Sequence, residues 1–177
     1  MEIKIELATV NQKQVLINLL EKYEYEFSQY DDSGVDELGL FGCEEWIETY
    51  WEKDNCWPYL IKVDDKLAGF AFVGDFPIKG KETDFIIDEF FIIYKYRNSG
   101  VGQFVVDYLL DKHQGKWGLY YTPRNLPAVS FWPKAIGKYT NDNYELIKDY
   151  PGVVYMDGTP NGTPGTVLLF DSRKQEL

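Results

Sequence analysis

Arg97-Asn98-Ser99-Gly100-Val101-Gly102 is the stretch on which the reading of this chain turns. The run before it, Phe85-Ile86-Ile87-Asp88-Glu89-Phe90-Phe91-Ile92-Ile93-Tyr94, is rich in β-branched and aromatic residues and predicts a buried central strand. After it, Val101, Phe104, Val105, Tyr108 and Leu109 recur at the spacing of one helix face. Strand, glycine turn and helix in that order aim backbone N–H groups and a positive helix end at one point. That is an anion site, and a pyrophosphate suits it. The third glycine of a Rossmann turn is replaced by Val105, and no Gly-Lys-Ser/Thr follows, so both of those nucleotide motifs are excluded.

What remains is R-x-x-G-x-G between a strand and a helix. This segment resembles the acetyl-CoA binding turn of the GNAT superfamily of N-acetyltransferases, in which R/Q-x-x-G-x-G/A joins the fourth strand to the third helix. A second stretch, Asn125-Leu126-Pro127-Ala128-Val129-Ser130-Phe131-Trp132, is similar to the family's N-x-x-A-x-x-(F/Y) segment beside the pantetheine arm. The whole run from Asp88 to Thr140 looks like a bacterial GNAT subgroup of mostly unassigned substrate. The resemblance implies an α/β fold with a mixed sheet of six to seven strands and about four flanking helices, as one domain over residues 1–177. It implies acetyl-CoA as co-substrate, no metal, and transfer of the acetyl group to a primary amine. The cofactor contacts it implies are Phe91, Ile92 and Ile93 on the central strand, Arg97, Asn98, Ser99, Gly100, Val101 and Gly102 in the turn, and Asn125, Phe131 and Trp132 downstream.

A chain of 177 residues with 45% hydrophobic and 17% aromatic content can bury a core as one domain. Its net charge of −11 argues against nucleic acid or an anionic membrane as partner. No apolar run is long enough to span a bilayer, and Met1 to Glu6 alternates like a strand, unlike a signal peptide. A cytoplasmic location is the expectation, with Cys43 and Cys56 as free thiols. The sequence leaves a homodimer open.

Along the chain, Ile3, Ile5 and Leu7 alternate as a first strand, and Thr9 with Gln12 reads as a capping box. The helix behind it carries Val15, Leu16, Leu19, Leu20 and Tyr23 on one face. A short helix follows from Glu44 to Trp51. Trp57–Val63 and Leu67–Val73 read as strands joined by a polar turn at Asp64-Asp65-Lys66. Lys112, His113 and Gly115 suggest a cationic, glycine-stopped helix end. Trp117–Thr122 is the next strand, and Asn125 caps the next helix. Tyr144–Ile147 and Val167–Phe170, on either side of a Gly/Pro-rich loop, close the sheet. The order β-α-α-β-β-β-α-β-α-β-β fits a mixed sheet with helices on both faces.

Acetyl transfer requires a neutral acceptor, and deprotonating an alkylamine of pKa about 10.4 at pH 7 costs roughly 4–5 kcal/mol. A base or a water chain must reach it. Glu89 and Asp88 interrupt the apolar strand on opposite faces, so at most one looks into a given cleft. Glu89 is the candidate base, against a structural carboxylate or bulge at the same position. The position that carries a tyrosine in many family members is Trp132 here, whose indole cannot supply a proton to a thiolate. Tyr139, the nearest downstream phenol, is the candidate acid. Pro133 predicts a kink that shifts later positions. His113 is expected to face its helix end.

Between Glu21 and Asp54, twelve acids face only Lys22 and Lys53, with eight aromatic residues interleaved. In the family this region walls the acceptor groove, which points to a cationic amine held by field and cation–π contact, against a plain solvated acidic helix. The runner-up function is a non-catalytic acyl-CoA binding protein on the same fold. A third reading is an acidic interaction module whose turn binds no cofactor.

Overall fold

Alternating side chains set the first strand, β1 (Ile3–Leu7), and a Thr9–Gln12 box starts the first helix. Thr9 N–H donates to Gln12 Oε1 at 2.9 Å across a short turn, Val10–Gln12, that leads into α1 (Lys13–Phe27). The computed structural model describes residues 1–43, 47–75, 78, 80–151 and 164–173. The remaining elements are α2 (Thr49–Glu52), β2 (Cys56–Val63), β3 (Lys66–Gly74), β4 (Phe85–Ile92), α3 (Val101–Lys112), β5 (Lys116–Tyr121), α4 (Leu126–Thr140), β6 (Tyr144–Tyr150) and β7 (Gly165–Asp171). The strands form one mixed sheet in the order β1-β2-β3-β4-β5-β7-β6, so the fold is the mixed α/β arrangement the sequence predicts. Among the described residues, no helix is long and apolar enough to cross a membrane.

The chain groups into two compact units. The first comprises Met1–Val73 with Glu89–Arg97, and the second Gly74–Asp88 with the chain from Asn98 onward. In the first, β1 and β2 are antiparallel, with Ile3 opposite Val63 and Leu7 opposite Tyr59. Asp64 and Asp65 both take left-handed backbone angles (φ 48° and 61°), the geometry of a two-residue hairpin turn into β3. The core holds Leu16, Leu20, Tyr50, Tyr59, Phe70 and Phe72, each less than 2% exposed. Each such side chain contributes about 1.5–3 kcal/mol by leaving water. On α1 the buried stripe includes Ile17 in place of the expected Val15.

In the second unit β4 and β5 pair in parallel, from Phe85 with Trp117 to Ile87 with Leu119. β5 and β7 are antiparallel along six residues, and β6 continues antiparallel with an irregularity between Ile147 and Tyr150. The buried face of α3 is Val101, Val105, Val106, Leu109 and Leu110. Phe104 is 47% exposed, so the apolar stripe is rotated from the one the spacing suggests. α3 and α4 run in the same direction. A Cβ on Gly102 would meet Phe131, Gln103 Nε2 donates to Ala135 O, and the Tyr139 hydroxyl donates to Asp111. α4 continues past Pro133 to Thr140.

His113 departs from its expected role. Its ring is buried among Phe85 and Trp117, and burial pushes its pKa down to about 4, so it is neutral at pH 7 and adds no charge to the end of α3. Cys43 and Cys56 are buried and are not joined in a disulfide. The expected helix at Glu44–Trp51 lies partly, and the Gly/Pro-rich loop largely, outside the described residues.

Candidate functional site

The glycine turn owes its shape to two left-handed residues. Asn98 (φ 57°) tolerates that region better than most side chains, and Gly100 (φ 88°) is the residue that caps α3. A Cβ on Gly100 would meet no protein atom within 4 Å, so the space beside the turn is open. Asn98, Ser99 and Gly100 are exposed. The helical ladder begins with Phe104 N–H on Gly100 O, at 3.0 Å, which leaves the amides of Val101, Gly102 and Gln103 outside it. These donors sit at the positive end of α3, a geometry suited to a phosphate.

Because α3 and α4 are parallel, the N-terminus of α4 lies at the same end of the pair. Asn125 caps it, its Oδ1 accepting from Ala128 N–H at 3.1 Å. Phe131 closes the gap between the helices: a Cβ on Gly102 would stand 3.1 Å from its ring. Trp132 is buried and packs edge-on to Phe131. Tyr139 is at the other end. Its hydroxyl donates to Asp111 Oδ1 at 2.8 Å, and Asp111 stands nine residues along α3 from Gly102, about 14 Å at the helical rise. Burial raises the Tyr139 phenol further from neutrality, with Asp111 adding to it.

In the first unit, the peptide directions at the end of β4 are fixed. A Cβ on Gly69 would lie 1.9 Å from Phe91 O, so that carbonyl faces β3. Within a trans peptide unit the N–H points opposite the C=O, so the Ile92 N–H points away from β3. The Ile93 N–H is taken by Ala68 O at 2.8 Å, and the Ile92 carbonyl accepts from Arg97 Nε at 2.6 Å. Of the amides of Phe91, Ile92 and Ile93, the Ile92 N–H is therefore the one directed to the far edge of β4. Arg97 also donates from Nη2 to both carboxylate oxygens of Glu26, at 2.9 and 2.7 Å.

Acids gather on α1. Glu21 accepts from Phe41 N–H at 2.9 Å and from the buried Cys43 thiol, whose pKa is pushed up to about 12, first by burial and then by this bond. The charges of Glu21, Glu24 and Glu89 also disfavour ionisation of that thiol. Glu24 is half-buried, and burial first, then Asp31 and Glu21, raise its carboxyl to about 7. An open cleft of about 460 Å³ beside α1 is lined by Glu21, Lys22, Tyr25, Glu26, Leu40 and Phe41 among others. Among the described residues, no group of three or more His, Cys, Asp or Glu side chains is placed to hold a metal ion.

Glu24 and Glu26 were legible in the sequence only as members of the acidic acceptor wall, without the individual roles they take here. Glu24 shares a helical stripe with Leu20 and Phe27, which puts its carboxylate beside the core, and that spacing was the available signal. The pairing of Glu26 with Arg97 spans 71 residues and left no local trace.

The acetyltransferase (GNAT) family model matches residues 15–137. No curated protein matches the chain in sequence. Among solved structures, an acetyltransferase of the GNAT family from Staphylococcus aureus Mu50 aligns with a TM-score of 0.63 at 16% identity, over 97% of this chain and 100% of that one. AAC(6')-Ib in complex with paromomycin and acetyl-CoA aligns with a TM-score of 0.63 at 14% identity, over 99% of both chains. The spermidine N-acetyltransferase from Vibrio cholerae, in complex with CoA and spermine, gives 0.58 at 12% identity, over 94% of this chain and 92% of that one. At such identities these likenesses speak to the fold, while the family match runs from the first turn of α1 through the glycine turn to the last turn of α4: the chain belongs to the acetyltransferase (GNAT) family.

Proposed function

We propose that this protein is an acetyl-CoA-dependent N-acetyltransferase acting on a primary amine that carries additional positive charge. The observation that carries the reading is the turn at Asn98–Gly102, with open space beside Gly100 and, behind it, the first-turn amides of α3 that precede the helical ladder. Acetyl-CoA, when bound, supplies the acetyl thioester. Val101, Gly102 and Gln103 offer backbone donors to its pyrophosphate, and Asn125 and Phe131 stand at the same end of the helix pair. The Ile92 N–H is the backbone donor suited to an acyl oxygen that gains negative charge.

Glu24, rather than Glu89, takes the proton of the incoming ammonium. A carboxyl held near 7 is ionised often enough at neutral pH to accept a proton and basic enough to keep it. Asp31 and Glu21 supply negative field to it, and the cleft on α1, which Glu21, Tyr25 and Phe41 help to line, suits a cationic tail. Tyr139, bound to Asp111 at the far end of α3, takes no acid role, and the CoA thiolate leaves toward water, from which it takes its proton.

Free-thiol release from acetyl-CoA, with spermine and with n-butylamine as acceptors, tests the reading. Spermine should react faster, and its advantage should shrink as salt shortens the Debye length from about 10 Å at 0.1 M to about 3 Å at 1 M. Equal rates at both salt concentrations would remove the cationic acceptor. No thiol release with any amine of a broad panel would remove the enzyme.

A further inference from the structure

We propose that Arg97 is a positioning residue that ties the end of β4 to α1 and so fixes the Ile92 amide, and that it is not a phosphate ligand of the glycine turn. This rests on the acetyl-transfer reading above and concerns the part of it that lies in the first unit.

Arg97 opens the turn, and a guanidinium there would ordinarily be assigned to the anion. Its surroundings assign it elsewhere. Nε donates to Ile92 O at 2.6 Å, and Nη2 donates to Glu26 Oε1 and Oε2 at 2.9 and 2.7 Å. Its central carbon is 5.6 Å from the ring centroids of both Phe91 and Tyr94. One planar group thus joins a strand carbonyl, a helix carboxylate and two aromatic rings, a task for which the fork of an arginine is suited and a lysine is not. With Glu26 in direct contact, the positive charge is largely matched, and little field is left for a pyrophosphate.

The target of the clamp gives it a function. Ile92 O and Ile92 N–H point to the same edge of β4, the one away from β3. The Nε bond holds the Ile92–Ile93 peptide unit, and Ala68 O holds its other side through the Ile93 N–H. The Phe91–Ile92 unit, which carries the Ile92 N–H, is bounded by Gly69, where only a residue without Cβ fits. An oxyanion donor gains its effect by being fixed before charge develops, and angular freedom at this strand end would forfeit it. Glu26 transmits the constraint from α1, the helix that also carries Glu24.

The test compares wild type with Arg97→Ala, Glu26→Ala, Glu26→Gln and the Arg97→Ala/Glu26→Ala pair. Affinity for acetyl-CoA is read by calorimetry, and the carbonyl stretch of bound [1-13C]acetyl-CoA by isotope-edited infrared spectroscopy, with no acceptor present. The wild-type stretch should lie below that of free acetyl-CoA. In the alanine variants it should move back to the free value while affinity stays within twofold, and the pair should be no worse than either single variant. Glu26→Gln keeps the volume and one acceptor and should fall between. It carries the test if Arg97→Ala does not fold. A tenfold or greater loss of affinity in Arg97→Ala, with the Glu26 variants silent, would make Arg97 a phosphate ligand and overturn the proposal. An unchanged stretch in every variant would overturn it as well. Failure of the wild type to bind acetyl-CoA would instead sink the acetyl-transfer reading, and the clamp with it.

Discussion

Replacing Glu24 by glutamine should make the protein more stable at alkaline pH while impairing its chemistry. In the native state the Glu24 carboxyl is raised from 4.5 to about 7, chiefly by burial. The folded protein therefore holds this proton more tightly than the unfolded chain does. The sign follows directly: stability from this group is fully present below pH 4.5 and is lost as pH rises through about 7. At 1.36 kcal/mol per pH unit, the full effect between pH 4 and pH 8 is about 3 kcal/mol, and residual water contact reduces it toward about 1.5. Glutamine has the same shape and cannot ionise. Glu24→Gln should gain about 1.5–3 kcal/mol over wild type in denaturant unfolding at pH 8, a rise in melting temperature of roughly 2–4 °C per kcal/mol for a chain of this size. At pH 4.5 the two proteins should be equal. The same variant should lose roughly 10²–10⁴-fold in turnover at pH 7, a loss that shrinks as pH approaches the pKa of the amine. Glu89→Gln should leave the pH dependence of turnover in place. A variant no more stable than wild type at pH 8 would refute the raised carboxyl, and near-normal turnover at pH 7 would refute its role.

His113 supplies the opposite slope. Its pKa falls from 6.5 unfolded to about 4 folded, so stability should drop as pH falls from 6.5 to 4, by about 1.5–3 kcal/mol once residual water contact is allowed for, and His113→Phe should flatten that limb in chemical unfolding. Tyr139→Phe should cost roughly 1 kcal/mol by removing the bond to Asp111, with turnover within twofold of wild type; a large kinetic defect in a folded protein would restore the phenol as an acid.

Much of the fold was legible because local signals agreed. The order of elements, the Thr9–Gln12 box, the Asp64-Asp65 turn and the Asn125 cap all depend on residues within a few positions of one another, and all appear in the structure. What was missed depends on tertiary packing. The α3 stripe includes Val106 and Leu110 while Phe104 is exposed, because the sheet and α4 choose the face and periodicity alone leaves several offsets nearly equal. His113 looked like a helix-end cation and is a neutral core residue, since Phe85 arrives from 28 residues upstream and the turn into β5 brings Trp117 back beside it. The same holds at the site. The glycine turn is written in six consecutive residues, whereas the partner of Arg97 and the elevated carboxyl of Glu24 depend on groups brought together only by folding.

The central claim is that the Asn98–Gly102 turn binds acetyl-CoA, and thermal unfolding with and without the ligand tests it most directly. At a hundredfold excess over its dissociation constant, acetyl-CoA should add about 2.7 kcal/mol to the stability of the wild type. Gly100→Val should lose that gain, because a β-branched residue is strained at φ 88° and its side chain fills the open space beside the turn. A wild-type melting temperature unmoved by millimolar acetyl-CoA, or a gain retained in full by a folded Gly100→Val protein, would contradict the account.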